Sequence, residues 1–209
     1  GTTSRGLGDV YKRQGKGSVY TWDGKHELDA SIMHGAQLNA GAVAGVTTVQ
    51  SPIALARAVM EQSPHVMLAS KGAELFAREL GVPEVSPAYF ETERRKRALE
   101  SYKARKQAGV EPRVDYKFGT VGVVVLDSKG NLVAGTSTGG MTGKRWGRIG
   151  DAPVIGAGTY ADNRSCAVSA TGHGEYFIRH TVARDICARM QFAGQSLQDA
   201  AETVITDEL

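Results

Sequence analysis

The run Thr120-Val-Gly-Val-Val-Val-Leu-Asp127 narrows the choice of fold more than any other segment of the chain. Its β-branched residues are stiff at χ1 and suit a pleated surface, and an apolar run without alternation suits a strand covered on both faces. Ser128-Lys129-Gly130 then supplies a turn, and Asn131 to Ser137 a second strand of small or β-branched residues. Residues 120–137 therefore read as a hairpin inside a covered sheet, which obliges the rest of the chain to provide layers above and below.

The flanking segments offer those layers. Upstream, Gly17 to Trp22 and His26 to Met33 flank Asp23-Gly24-Lys25, a hairpin signal, and Ala40 to Thr47 reads as a third strand. Ser51-Pro52 opens a helix whose Ile53, Ala56, Val59 and Met60 trace one apolar face up to the Ser63-Pro64 break. Lys71 to Leu80 repeats the helical period and stops at Gly81, and Glu91 to Gln107 reads as a charged, solvated helix. Residues 108–119 lack a sustained period and read as a flexible tether. Beyond it, Ser165 to Ala170 reads as a strand, and Glu175 to Phe192 as one long helix with Phe177, Val182, Ile186 and Met190 on a common side. Ser196 with Asp199 resembles a capping box and opens a last helix. Strands, helices, tether, strands, helices: this order predicts a layered α+β fold with helices covering a sheet.

At 209 residues, 41% hydrophobic and 22% charged, the chain has the composition of a soluble globular domain with a sizeable core. A formal net charge of +3, without a basic tract or an aromatic RNA-binding signature, argues against nucleic acid as a partner. The sequence has no 18-residue apolar segment, so no membrane partner is expected. His26, His34, His65, His173 and His180 fall in no zinc spacing and GxGxxG does not occur, so neither a metal nor a cofactor is expected. Cys166 and Cys187, without a CxxC spacing, read as two buried thiols acting as small hydrophobes. The first fourteen residues, Gly1 to Gln14, show no apolar period, join abruptly to a strand-like run, and read as a foreign or disordered terminus without function.

The chemistry gathers around the tether. Cleavage between Gly119 and Thr120 would expose a threonine whose α-amine, with a pKa near 8, can take the proton from its own hydroxyl. Four later segments offer what an amidase needs. Thr138 ends a strand before Gly139-Gly140 and can hydrogen-bond to that nucleophile. Arg148 and Asp151, three apart in a glycine-rich loop, can hold an α-amino acid by its carboxylate and its ammonium. Thr171-Gly172-His173-Gly174 leads into a helix, and the Thr171 hydroxyl with the Gly172 N–H would form an oxyanion hole. His173 has no acidic orienter in the sequence pattern and reads as a pocket or helix-cap residue rather than a base.

Taken together these segments resemble the plant-type L-asparaginase and isoaspartyl peptidase family of N-terminal-nucleophile hydrolases. The resemblance covers Gly15 to Leu209 and is carried by HELDASIM at 26–33, NAGAVAGV at 39–46, SPIALARAVMEQSPHVML at 51–68, the stretch from Gly119 to Asp162, and TGHGE at 171–175. It implies a four-layer αββα sandwich and a precursor that cuts itself into an α subunit, 15–119 here, and a β subunit, 120–209. It also implies a homodimer of such αβ pairs. By resemblance the nucleophile falls on Thr120, its supporting threonine on Thr138, and the oxyanion donors on Thr171 and Gly172. The substrate ligands fall on Arg148 and Asp151, with Gly172 and Gly174 lining the pocket. The implied reaction is hydrolysis of the asparagine side-chain amide and of β-aspartyl dipeptides. Glycosylasparaginase activity on the N4-(β-N-acetylglucosaminyl)-asparagine bond is the alternative within the family, and an inactive, non-catalytic homologue the alternative outside it.

The departures from that pattern lie at the two ends. The family's opening strand with its His-Gly-Gly-Ala-Gly-like stretch, its structural sodium-binding loop and its Asn-Ala-Gly segment are missing, and Arg13 stands where that asparagine would be. The family also continues beyond Leu209 into strands that close the sheet. The resemblance thus describes a fragment lacking both family termini, expected to be cytoplasmic, with export left open by the missing native start.

Overall fold

A computed structural model describes residues 15–110 and 119–209. The foreign-looking stretch 1–14 and most of the tether lie outside the described residues.

The strands are β1 (Leu28–His34), β2 (Asn39–Val46), β3 (Met67–Ala69), β4 (Thr120–Leu126), β5 (Leu132–Thr138), β6 (Thr159–Ala161) and β7 (Ala167–Ser169). The helices are α1 (Pro52–Gln62), α2 (Ser70–Glu79), α3 (Glu93–Gln107), α4 (Gly174–His180), α5 (Val182–Ala193) and α6 (Leu197–Glu202). Five strands form one sheet in the order β3-β2-β1-β5-β4, and β6 and β7 form a second. Neighbours in both are antiparallel except β2 and β3, which run parallel. The architecture is mixed α+β, two sheets flanked by helices, as a sandwich of the N-terminal-nucleophile type requires.

Alternation along β1 explains the layering. Leu28, Ala30 and Ile32 point to a cluster with Leu55, Ala56 and Val59 of α1 and Ala73 and Ala77 of α2. Met33 points the other way, into a cluster with Tyr160 of β6, Cys166, Phe177 of α4, and Ile186 and Cys187 of α5. Helix α1 can lie close on the sheet because Gly41 of β2 has no side chain to meet the α1 backbone at Ala56 and Met60. Between the sheets the mortar is partly polar. Ser31 Oγ donates to the Ala152 carbonyl (2.6 Å) and lies 2.8 Å from Thr159 Oγ1. Thr159 Oγ1 donates to Thr136 Oγ1 (2.6 Å), which lies 2.6 Å from Ser169 Oγ. Gly122 of β4 leaves the room that Ser169 occupies.

Four expectations are corrected. Gly17 to Trp22 is not a strand: the Asp23-Gly24 turn exists, with Gly24 N–H on the Thr21 carbonyl, but only Thr21 forms a bridge, to Lys144. The strand β1 instead finds its partners in β2 and β5, which match its two long edges. The hairpin of β4 and β5 is present, yet β4 is an edge strand with Val121, Val124, Val125 and Leu126 exposed. Among the described residues it pairs with β5 alone, while β7 meets its other surface where Ser169 lies on Gly122. The long helix expected over 175–192 is two helices, because Thr181 is left-handed (φ 47°) and the next N–H groups turn to other acceptors. Ala183 N–H binds the Ala157 carbonyl and Arg184 N–H that of Gly156. Finally, Cys166 and Cys187 are not free thiols but a disulfide with Cα atoms 5.3 Å apart, tying the approach to β7 to α5. Their separation of 21 residues hid a contact that exists only once α5 lies on the second sheet.

Candidate active site

Thr120 opens β4 and Thr138 closes β5, and the antiparallel register sets them opposite each other. Thr120 Oγ1 donates to Thr138 Oγ1 (3.0 Å), Thr138 Oγ1 donates to the Gly119 carbonyl (3.1 Å), and Gly140 N–H donates to Thr138 Oγ1 (3.0 Å). The Thr138 hydroxyl thus bridges the Thr120 hydroxyl and the carbonyl of the preceding residue, and its own position is fixed by a backbone donor. A pocket bordered by Gly15, Lys16, Ser18, Gly119, Thr138 and Gly139 opens beside it.

A buried cation backs this corner. Lys144 has a side chain 1% exposed; its Nζ donates to the Glu27 carbonyl (3.0 Å) and lies 3.6 Å from Glu27 Oε2 and 3.8 Å from Asp29 Oδ2. Asp29 sits across from Thr138 in the β1–β5 ladder and accepts from Gly45 N–H (2.8 Å). Burial outweighs Lys144 and holds the Asp29 carboxyl above the usual carboxylate range. The Lys144 stem also lies against Gly140, where a methyl would come within 3.1 Å of Cδ. Neither Asp29 nor Lys144 is among the site residues expected from sequence; a charged residue inside the apolar run of HELDASIM is the signal that could have singled out Asp29.

The second group of residues meets over Gly174. A methyl there would lie 2.8 Å from Arg148 Nη2 and 2.9 Å from Asp151 Oδ1, so both charged groups border the space that this glycine leaves open. Asp151 is 7% exposed and burial raises its pKa; among the described residues its Oδ2, which lies against Gly158, has no hydrogen-bond partner. A desolvated carboxylate whose Oδ1 borders that space is suited to receive an ammonium group. Arg148 stands beside it with its guanidinium bound on one edge: Nε donates to Glu175 Oε1 (3.0 Å) and Nη2 to Glu175 Oε2 (3.1 Å). This fork, the largest influence on Glu175, lowers its pKa to about 2.

Thr171 and Gly172 form the exposed loop entering α4, with Gly172 packed against the Phe177 ring, and neither hydrogen-bonds to Thr120. His173 occupies the N-cap position of α4 but its side chain makes no capping bond; Nδ1 lies 2.7 Å from Glu175 Oε2. The geometry therefore joins Gly119, Thr120 and Thr138 directly, and Arg148, Asp151 and Gly174 directly, while no hydrogen bond ties Thr171 or Gly172 to Thr120. Among the described residues no group of three or more His, Cys, Asp or Glu is placed to hold a metal, and no helix is long and apolar enough to cross a membrane.

Comparison with known proteins fits this arrangement. The chain is 52% identical over 204 residues to the isoaspartyl peptidase of Salmonella typhimurium, which covers 93% of this chain and 64% of that protein. It is 46% identical over 188 residues to the isoaspartyl peptidase/L-asparaginase of Homo sapiens, covering 90% and 60%. It is 44% identical over 224 residues to the probable isoaspartyl peptidase/L-asparaginase 2 of Arabidopsis thaliana, covering 96% and 69%. The chain thus spans less than two thirds of the length of the Salmonella and human relatives. A sequence model described as asparaginase matches residues 11–209. With Thr120 and Thr138 set at the mouth of one hairpin and nearly the whole chain matched, this protein belongs to the asparaginase family of N-terminal-nucleophile hydrolases.

Proposed function

We propose that Thr120, released by scission of the Gly119–Thr120 bond, is the nucleophile of an amidohydrolase that acts on the side-chain amide of L-asparagine and on β-aspartyl dipeptides. The observation that carries this reading is the Thr138 hydroxyl, which donates to the Gly119 carbonyl while accepting from Thr120 Oγ1. Thr120 Oγ attacks that carbonyl carbon, a C–O bond replaces the C–N bond, and the freed amine takes the hydroxyl proton. Water then hydrolyses the ester, leaving a Gly119 carboxylate and an N-terminal Thr120. In the mature enzyme the same oxygen attacks the substrate's side-chain carbonyl, with the α-amine carrying the proton to the leaving nitrogen. Ammonia or an amino acid departs, and water releases aspartate.

In this reading Arg148 takes the substrate α-carboxylate and Asp151 the α-ammonium, with Gly174 leaving room for the α-carbon. Thr171 and Gly172 supply the oxyanion donors. Residues 15–119 and 120–209 form the two subunits of one domain. Support comes from the five-stranded sheet, in which β5 from beyond the scission point pairs with β1 from before it, so the pieces stay joined after cutting. A homodimer of αβ pairs and a cytoplasmic location complete the proposal. The disulfide, more at home in oxidising compartments, keeps export beside it.

Denaturing mass spectrometry after prolonged incubation tests the reading. Pieces spanning 1–119 and 120–209 are expected, and Thr120→Ala should remain whole; scission of the Thr120→Ala chain at this bond would overturn the assignment. Turnover of asparagine, a β-aspartyl dipeptide and glycosylated asparagine, measured side by side, separates the preferred substrate from the glycosylasparaginase alternative.

A further inference from the structure

Glu175 lies in the first turn of α4, directly after Gly174, and it is the residue that engages the Arg148 fork. Its two oxygens take the Nε and Nη2 donors on one edge of the guanidinium. On the other side, a methyl at Gly150 would lie 2.8 Å from Nη1 and 3.2 Å from Cζ, so the head group is flanked by backbone there. What remains open is the end of the fork, where Nη2 borders the space over Gly174 and faces Asp151 Oδ1 across it. We infer that Glu175 is a positioning residue for the carboxylate clamp: by holding the Nε edge it aims the Nη1–Nη2 end of Arg148 at the α-carboxylate of an aspartyl ligand. This rests on the role of Arg148 proposed above.

The physical reason is pre-organisation. A free arginine side chain samples many rotamers, and ordering it when the ligand binds weakens affinity; a bidentate partner orders it beforehand. The pair is too exposed, at 20% and 47%, to matter much for folding, so its selective value lies in geometry. Glu175 leaves the ligand two N–H directions, on Nη1 and Nη2, which still suffice for a forked carboxylate.

Calorimetric titration with L-aspartate tests this in four proteins: wild type, Glu175→Ala, Arg148→Ala and the double variant, with unfolding midpoints checked to be alike. Ordering one rotamer-rich side chain predicts that Glu175→Ala weakens binding about three- to tenfold. Glu175→Gln, which keeps one acceptor for Nε, should recover part of that, and it carries the comparison if the alanine variant does not fold. In the Arg148→Ala background the loss of Glu175 should cost nothing further. Binding by Glu175→Ala as tight as wild type, or tighter, would overturn the inference, as would an additional loss in the double variant. An Arg148→Ala protein that binds L-aspartate like wild type, or a wild type that does not bind it, refutes the clamp itself and so separates the two failures.

Discussion

Thr159 is wholly buried between the sheets, in the middle of the hydroxyl series Ser31, Thr159, Thr136 and Ser169, and its replacement by valine measures what that series contributes. Valine keeps the branched shape and removes only the hydroxyl. Ser31 retains its bond to the Ala152 carbonyl, so one side of the series survives. The bond from Thr159 to Thr136 (2.6 Å) is lost, worth about 1 kcal/mol net, and Thr136 Oγ1 keeps a buried, poorly satisfied lone pair costing about 1–2 kcal/mol more. The expected loss is thus about 2–3 kcal/mol. In a domain of this size that lowers the unfolding midpoint by about 4–12 °C. Thermal and urea unfolding followed by circular dichroism, with an unchanged m-value, is the assay. Because Thr159 and Thr136 share a bond, adding Thr136→Val should cost less than its effect alone, since the orphaned partner goes with it. A Thr159→Val midpoint indistinguishable from wild type, or full additivity in the double variant, would show that the hydroxyls pack between the sheets without bonding to any effect.

Three further outcomes are expected. Lys144→Met strips the buried Asp29 carboxyl of its cation, so that it takes up a proton, and orphans the Glu27 carbonyl; it should destabilise the fold by about 1–3 kcal/mol, with Asp29→Asn recovering part of the loss, and denaturant unfolding reads both. Removing the disulfide with Cys187→Ser frees a loop of 21 residues, a chain-entropy loss of about 3 kcal/mol, and wild-type protein should show the matching drop in midpoint when reduced. An unchanged midpoint under reduction would refute it. Glu175, with a folded pKa of about 2 against an ordinary 4.5, binds fewer protons folded than unfolded between those values. Its contribution to stability, small because the pair is exposed, is therefore present above pH 4.5 and lost as pH falls towards 2, and carboxyl NMR should find its midpoint near 2, returning towards the ordinary range in Arg148→Ala.

The helices and the hairpin of β4 and β5 are legible because each is written in local pattern. Pro52 at the first turn, Gly81 after α2 and the Ser196 cap, whose Oγ accepts from Asp199 N–H, are short-range signals. The break at Thr181 is not, because its cause is a pair of carbonyls on the loop at 156–157, far away in sequence. Thr120, Thr138, Arg148, Asp151 and Gly174 stand out by chemistry and resemblance, and the structure sets them in two groups. Glu175 and Lys144 do not, since a glutamate opening a helix and a lysine in a loop look like solvated charges until their partners are in place.

The chain's local order decided the element types, the layered class and the residue kinds available to a threonine hydrolase, because turn chemistry, periodicity and side-chain reactivity act over a few residues. Folding alone decided the rest. It set β1 rather than Gly17 to Trp22 at the centre of the large sheet, left β4 at its edge, and joined Cys166 to Cys187. It also placed Glu175 on Arg148 and buried Lys144 beside Asp29. Each of these is a meeting of groups distant in sequence, whose energy exists only when burial removes water from between them.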